Sequence, residues 1–166
     1  MATKTVEWKG GQGLKKYLRS LEDKLGKGVS VEVGFFESDH YTPVHPIRGT
    51  KRKPLPVAQV AFWMNYGTTK GYFGPIPARD FMGVTVRGNQ GNWGKELASV
   101  AKATGFDTKR TMAFMGERIK DQMVTQIQRW SQPANGPAWS KIKGNSKPLV
   151  DDGTMQRAVG YQVKGV

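Results

Sequence analysis

Apolar positions along this chain switch between two periods. Leu14, Tyr17, Leu18, Leu21 and Leu25 recur at helical spacing among lysines and acids, and Gly26 and Gly28 follow as a stop, which predicts a first amphipathic helix. Val29, Val31, Val33 and Phe35 then alternate with Ser30, Glu32, Gly34 and Phe36, the period of a half-buried strand. Residues 37–53 show neither period. Their Pro, His, Gly and basic side chains predict an exposed, flexible basic loop. From Leu55 the helical period returns, with Val57, Val60, Ala61 and Met64 on one face, Pro56 suited to a first turn and Gly67 as the stop. A second loop, over 68–77, holds Gly71, Gly74, Pro75 and Pro77. Phe81 to Val86 fits a short helix or a strand equally, Asn89 to Trp93 reads as a glycine-rich break, and Lys95 to Ala103 as a modest helix.

The strongest periodicity follows. Met112, Met115, Ile119, Met123, Ile127 and Trp130 recur at steps of 3, 4, 4, 4 and 3, and Asp107 stands where a cap belongs, so a long helix is expected over roughly 107–131. Methionines at this spacing are more often core filler than a docking face. Ser131 to Asn145 reads as loop, punctuated by Pro133, Gly136 and Pro137. Asp151 or Asp152 then caps a short turn through Met155 to Ala158, and Val159 to Val163 alternates like an edge strand. No internal repeat is visible. The order predicts one α+β domain across all 166 residues: a small, mostly antiparallel sheet packed against helices, one of them long and central to C-terminal.

Charge changes the picture of partners. Basic residues number 26 and acidic ones 13, a formal net charge of +13. The excess is spread along the chain, +5 over 1–60, +3 over 61–106 and +5 over 107–166, so no basic tail stands apart from a neutral body. Such a field draws a protein toward nucleic acid or an acidic surface, although a solvated lysine-rich exterior gives the same count. Cysteine is absent, which excludes disulfides and thiolate metal sites and fits a reducing cytosol. No window approaches the roughly 18 apolar residues of a membrane span, and residues 1–13 lack a signal-peptide core, so a cytoplasmic place of synthesis without membrane insertion is expected.

Catalytic patterns find little support. His40 and His45 share one polar loop with Asp39, outside any HExxH-like frame, and a solvated loop is the simpler account. Asp151 and Asp152 are adjacent and should point in different directions, whereas paired acid–base carboxylates generally come from separate elements. The glycines at 10, 11 and 13 follow no strand and miss the phosphate-loop pattern, and no serine sits in a nucleophile elbow. The expectation is a protein without catalysis, cofactor or metal.

Two short boxes carry a more specific signal. Tyr66-Gly67-Thr68 is followed by Ile76-Pro77-Ala78-Arg79-Asp80-Phe81-Met82, and after the long helical pattern comes Lys147-Pro148-Leu149-Val150-Asp151-Asp152-Gly153-Thr154-Met155. In this order they resemble the tail-completion and neck proteins of long-tailed bacteriophages, the minor tail protein Z group. Members read as an aromatic-Gly turn, an Ile-Pro-Ala-Arg-Pro-Phe-Leu box, a long helix, and a Leu-Ile-Asp-Thr-Gly-x-Leu box before a last strand. The resemblance spans residues 29 to 163 and maps Gly67 to the turn glycine, Pro77, Ala78, Arg79 and Phe81 to the first box, and Leu149, Asp151, Gly153 and Met155 to the second. The chain departs from the pattern at Asn65, where an acid is usual, at Asp80 in place of proline, and at Asp152 in place of threonine. Asp80 beside Arg79 offers a charge pair across a subunit boundary, and the basic loop with Lys51, Arg52 and Lys53 has no counterpart.

The resemblance implies a structural virion protein, assembled in a bacterial host cytoplasm and located at the head–tail junction or tail end. Such parts are homo-oligomeric rings of six or twelve copies that meet connector, stopper or tail-tube proteins. It further implies that the box residues face a neighbouring subunit or partner, Arg79 as a hydrogen-bonding fork and Phe81 as an apolar anchor, with the Gly67–Gly74 loop as a second patch. Lys51, Arg52 and Lys53 would then contact packaged DNA or a partner. Terminator and connector roles stay open. The rival reading from charge and five tryptophans is a basic DNA-binding module without catalysis.

Overall fold

The computed structural model describes residues 28–45, 48–71 and 74–165, with the isolated positions Lys16, Arg19, Ser20 and Asp23. The helix expected over 14–25 otherwise lies outside the described residues. The described elements are β1 (Ser30–Phe35), α1 (Val57–Tyr66), α2 (Phe81–Ala103), α3 (Thr108–Arg129), α4 (Pro137–Lys143), α5 (Thr154–Arg157) and β2 (Val159–Lys164). β1 and β2 pair antiparallel, with Val31 opposite Val163, Val33 opposite Tyr161 and Phe35 opposite Val159. This is the expected small α+β fold, with first and last strands joined.

The helix α3 organises the interior. Asp107 accepts from the Arg110 amide at 2.9 Å, satisfying one of the donors that a helix start leaves open. Met115, Met123 and Ile127 are buried, so the methionine stripe is core filler. α3 lies against the sheet on one side and α2 on another. At Gly116 the approach is close: a Cβ there would run into the Tyr161 ring and come within 2.9 Å of Val31 Cγ2. Glycine is what lets this helix rest on the sheet. The main cluster joins Val57 and Ala61 of α1, Phe81 of α2, Met123 and Ile127 of α3, and Leu149, Met155 and Val159 near the C-terminus.

The break expected at 89–93 does not exist; α2 runs unbroken for 23 residues through four glycines. Glycine costs about 1 kcal/mol relative to alanine inside a helix, which is why the local pattern reads as a break. Tertiary contacts offset that cost. Asp80 accepts from the Gly83 amide at 3.1 Å, and Asn65, reaching across from α1, accepts from the Met82 amide at 3.0 Å. Further along, Trp93 Nε1 donates to Gln122 Oε1 at 2.9 Å, and Thr104 and Thr111 share a hydroxyl bond of 2.7 Å. Residues 131–145 are likewise not all loop, since α4 starts on Pro137 and ends at Gly144 in a left-handed cap.

The 37–53 segment also departs from expectation. Tyr41 N donates to Leu55 O at 2.9 Å, Arg52 N to Pro43 O at 2.7 Å and His45 N to Thr50 O at 2.8 Å, so the segment folds back on itself. His45 is buried rather than solvated. Among the described residues, no helix is long and apolar enough to cross a membrane.

Candidate functional site

The first box begins at the end of α1. Gly67 adopts φ 77, and a Cβ there would sit 2.8 Å from both Ala78 N and Ile76 O. The turn therefore requires glycine on two counts, conformation and space. Thr68 and Ile76 exchange backbone hydrogen bonds of 2.8 and 3.2 Å, which closes the second loop into a short hairpin and returns the chain to α1. Arg79 N then donates to Met64 O at 2.9 Å.

Arg79 is only 2% exposed. Its Nε donates to Pro133 O at 2.9 Å and its Nη2 to Ala134 O at 3.2 Å, while Nη1 meets Met64 Sδ at 3.4 Å. Carbonyl dipoles of the 133–135 turn thus solvate the guanidinium, whose pKa burial pulls below its ordinary value. Phe81 is fully buried and packs edge-on to Phe35, with ring centroids 6.2 Å apart. Both side chains implied as subunit contacts are therefore spent on the chain's own interior; of that box, Pro77 and Ala78 remain exposed. Asp80 does not pair with Arg79. It caps α2 and bonds Arg87 Nη2 at 2.7 Å, and this hydrogen bond, with the Gly83 amide, holds its carboxyl below the usual carboxylate range despite some desolvation.

The second box is held by the 37–53 segment. Arg48 grips Asp151 with two bonds, Nη1 to Oδ1 at 2.8 Å and Nη2 to Oδ2 at 3.0 Å. Arg52 Nη1 lies 2.9 Å from Asp152 Oδ2, its Nε donates to Thr42 O at 2.8 Å, and its guanidinium stacks 4.7 Å over the Tyr41 ring. His45 sits between the carboxylates, Nε2 being 3.0 Å from Asp151 Oδ2 and 3.7 Å from Asp152 Oδ2. Its Nδ1 accepts from the Arg48 amide at 3.1 Å, so a proton on Nε2 and a bare Nδ1 satisfy both contacts. The adjacent aspartates were expected to diverge. The turn bends around the histidine instead, and Asp152 Oδ1 accepts from the Thr154 amide at 2.8 Å, but the N-cap of α5 is Gly153 and not either aspartate expected there.

Electrostatics favours this clasp. Burial pushes the Asp151 carboxyl up, but the Arg48 fork and the His45 bond outweigh it and hold the group below the usual range. Burial acts on Asp152 in the same way and is outweighed by bonds from Thr154 and Arg52. For Tyr41, burial comes first and Asp152 adds to it, raising the phenol. Burial brings Lys143, which neighbours the cluster, down to about 8. One ligand atom each from His45, Asp151 and Asp152 falls within 4.8 Å of the others, the spacing a cation needs. Arg48 and Arg52 already neutralise both carboxylates, so the set is suited to binding two segments together rather than to holding a metal.

Acid should loosen the clasp. Carboxyls depressed in the folded state contribute stability that is complete above the unfolded value near 4 and is lost as pH falls through the folded values. Urea midpoints should be flat from about pH 7 to 5 and fall below about 4, and Asp151→Asn should flatten that fall. An unchanged acid slope in the variant would count against the clasp.

Of the remaining named residues, Leu149 and Met155 are buried in the core, and Gly153 is half-buried in the left-handed conformation just before α5. Lys51 and Lys53 are exposed, while Arg52 turns inward to Asp152. Sequence reasoning missed Arg48 and His45 as partners of Asp151, because the pairing crosses more than 100 residues. It also missed the capping by Asp80, although an aspartate directly before an apolar run is a start signal. No protein-family model, curated protein or solved structure matches the chain.

Proposed function

We propose that this chain is a non-catalytic structural subunit of a tailed bacteriophage, forming a ring that completes the tail or joins it to the head. The observation that carries the reading beyond its two sequence boxes is the surface of α1. Phe62 is 57% exposed and Tyr66 64%, their rings 4.8 Å apart, on a helix without one charged side chain. Paired aromatics left in water gain free energy only when something apolar covers them, and aromatic residues are enriched where proteins meet proteins. An assembly subunit has a use for such a surface; a domain acting alone has none. The box residues then serve as internal framing: Arg79, Phe81, Leu149 and Met155 set the position of α1 and α2 from inside, and the surface they support makes the contacts.

The rival reading, a basic DNA-binding module, rests on the +13 charge. Two assays separate the readings. Electron microscopy of the concentrated protein should show closed rings of six or twelve copies, and a labelled duplex should not shift at physiological salt. Single particles without rings, together with duplex binding that weakens steeply with salt, would overturn the ring reading in favour of the rival.

A further inference from the structure

A second apolar surface lies at the other end of α2. Val100, Ala103 and Thr104, at the close of that helix, face Arg110 and Phe114 at the start of α3 across a cleft of about 250 Å³. Phe114 is 53% exposed on its wall. That volume is below the roughly 300–1,000 Å³ of small-molecule sites and suits one or two inserted side chains. Arg110 makes no ion pair among the described residues.

Resting on the ring-subunit reading above, we infer that Phe62 and Tyr66 of one copy insert into the cleft between α2 and α3 of the next copy. Three observations carry this head-to-tail contact. The chemistry is complementary: two aromatic rings meet an apolar wall with an unpaired guanidinium, which prefers an aromatic face within about 6 Å. Charge selects the surface as well. Copies carrying +13 repel, and residues 54–69, which contain the aromatic pair, form the longest run in the chain without a charged side chain. The aromatic patch therefore adds no charge of its own to meet Arg110 at the cleft.

Placement gives the third. Asn65 and Asp80 tie the end of α1 to the start of α2, so the aromatic pair sits at the N-terminal end of α2 and the cleft at its C-terminal end. Phe81 and Val100 are separated by about 28 Å along that helix at 1.5 Å per residue. Two different patches, at opposite ends of one rigid rod, cannot satisfy each other within a chain. Between chains they make a heterologous contact, which repeats until it closes into a ring.

The absence of cysteine makes the test simple. The double variant Gln59→Cys/Ala103→Cys keeps Phe62, Tyr66, Phe114 and Arg110, alters two exposed positions, and places its thiols too far apart to bridge within one chain, since a disulfide needs Cα atoms within about 7 Å. Oxidised and run without reductant, it should give a ladder extending beyond the dimer. Each single variant alone should stay one chain, and an equal mixture of the two single variants should give a dimer band. Dimers from a single variant would indicate a symmetric contact and overturn the proposal. If the double variant gives no ladder while wild-type protein still sizes as a ring, this interface is wrong and the ring reading survives. If wild-type protein sizes as one chain and no ladder forms, both fall.

Discussion

Phe81→Ala is expected to cost about 4 kcal/mol of folding stability, near the middle of the range for truncating a buried phenylalanine. At this chain length that lowers Tm by roughly 8–16 °C, a large part of a typical total stability. The reason is its place in the cluster. Phe81 is fully buried, meets Phe35 edge-on, and lies with Val57, Ala61 and Ile127 where α1, α2 and α3 converge. Phe81→Leu should cost less than half as much, because most of the volume stays filled. The measurement also separates two roles for this residue. A core residue lowers the urea midpoint at every protein concentration, whereas an anchor at a subunit contact would leave an isolated chain stable and weaken only association. An unfolding free energy within about 0.5 kcal/mol of wild type, the range of surface substitutions, would return Phe81 to the surface role that the family resemblance implied.

Asp152→Ala is the second large effect, about 3 kcal/mol, the lower end for removing one partner from a buried ion pair. The Asp152 side chain is 1% exposed and His45 is equally buried, so water cannot replace the lost carboxylate. Arg52, 20% exposed, would be left against an uncompensated site. Asp152→Asn should lose less, since one side-chain oxygen can still accept from the Thr154 amide. Asp151→Ala provides the control. That carboxylate is 27% exposed and Arg48 21%, so solvent takes over more of the interaction and about 1 kcal/mol is expected. Equal losses for Asp151→Ala and Asp152→Ala, by thermal or urea unfolding, would contradict the difference in burial on which this ranking depends.

What the sequence made legible follows a physical division. The strands at 30–35 and 159–164, α1 and α3 each turn one face inward, half-buried in the strands and more fully buried in the helices, so their periods of 2 and 3.6 survive in the residue order. α2 does not. Its glycines at 83, 88, 91 and 94 remove the local preference for helix, and it persists through Asp80, Asn65 and the contacts of Trp93 and Thr104 with α3. Apart from the Asp80 cap, those are tertiary facts with no local trace. The same holds for the clasp. Asp151 and Asp152 stood out in the sequence, but their partners His45 and Arg48 lie in a segment whose composition reads as solvated loop. The antiparallel closure of β1 on β2 and the contact of α1 with α5 bring the two segments together. The boxes themselves were visible, and their direction was not. A pattern of Pro, Ala, Arg and Phe does not say whether arginine points out or in, and here the carbonyls of residues 133 and 134 draw it inward.

A ring-forming assembly subunit, as proposed above, should reveal itself in its solution mass by light scattering after gel filtration, at low and at high salt. A discrete mass of six or twelve 18.4-kDa chains is predicted. It should persist or grow at high salt, because salt screens the repulsion between +13 copies while leaving apolar contacts intact. A single-chain mass at both salts, at every concentration reached, would contradict it.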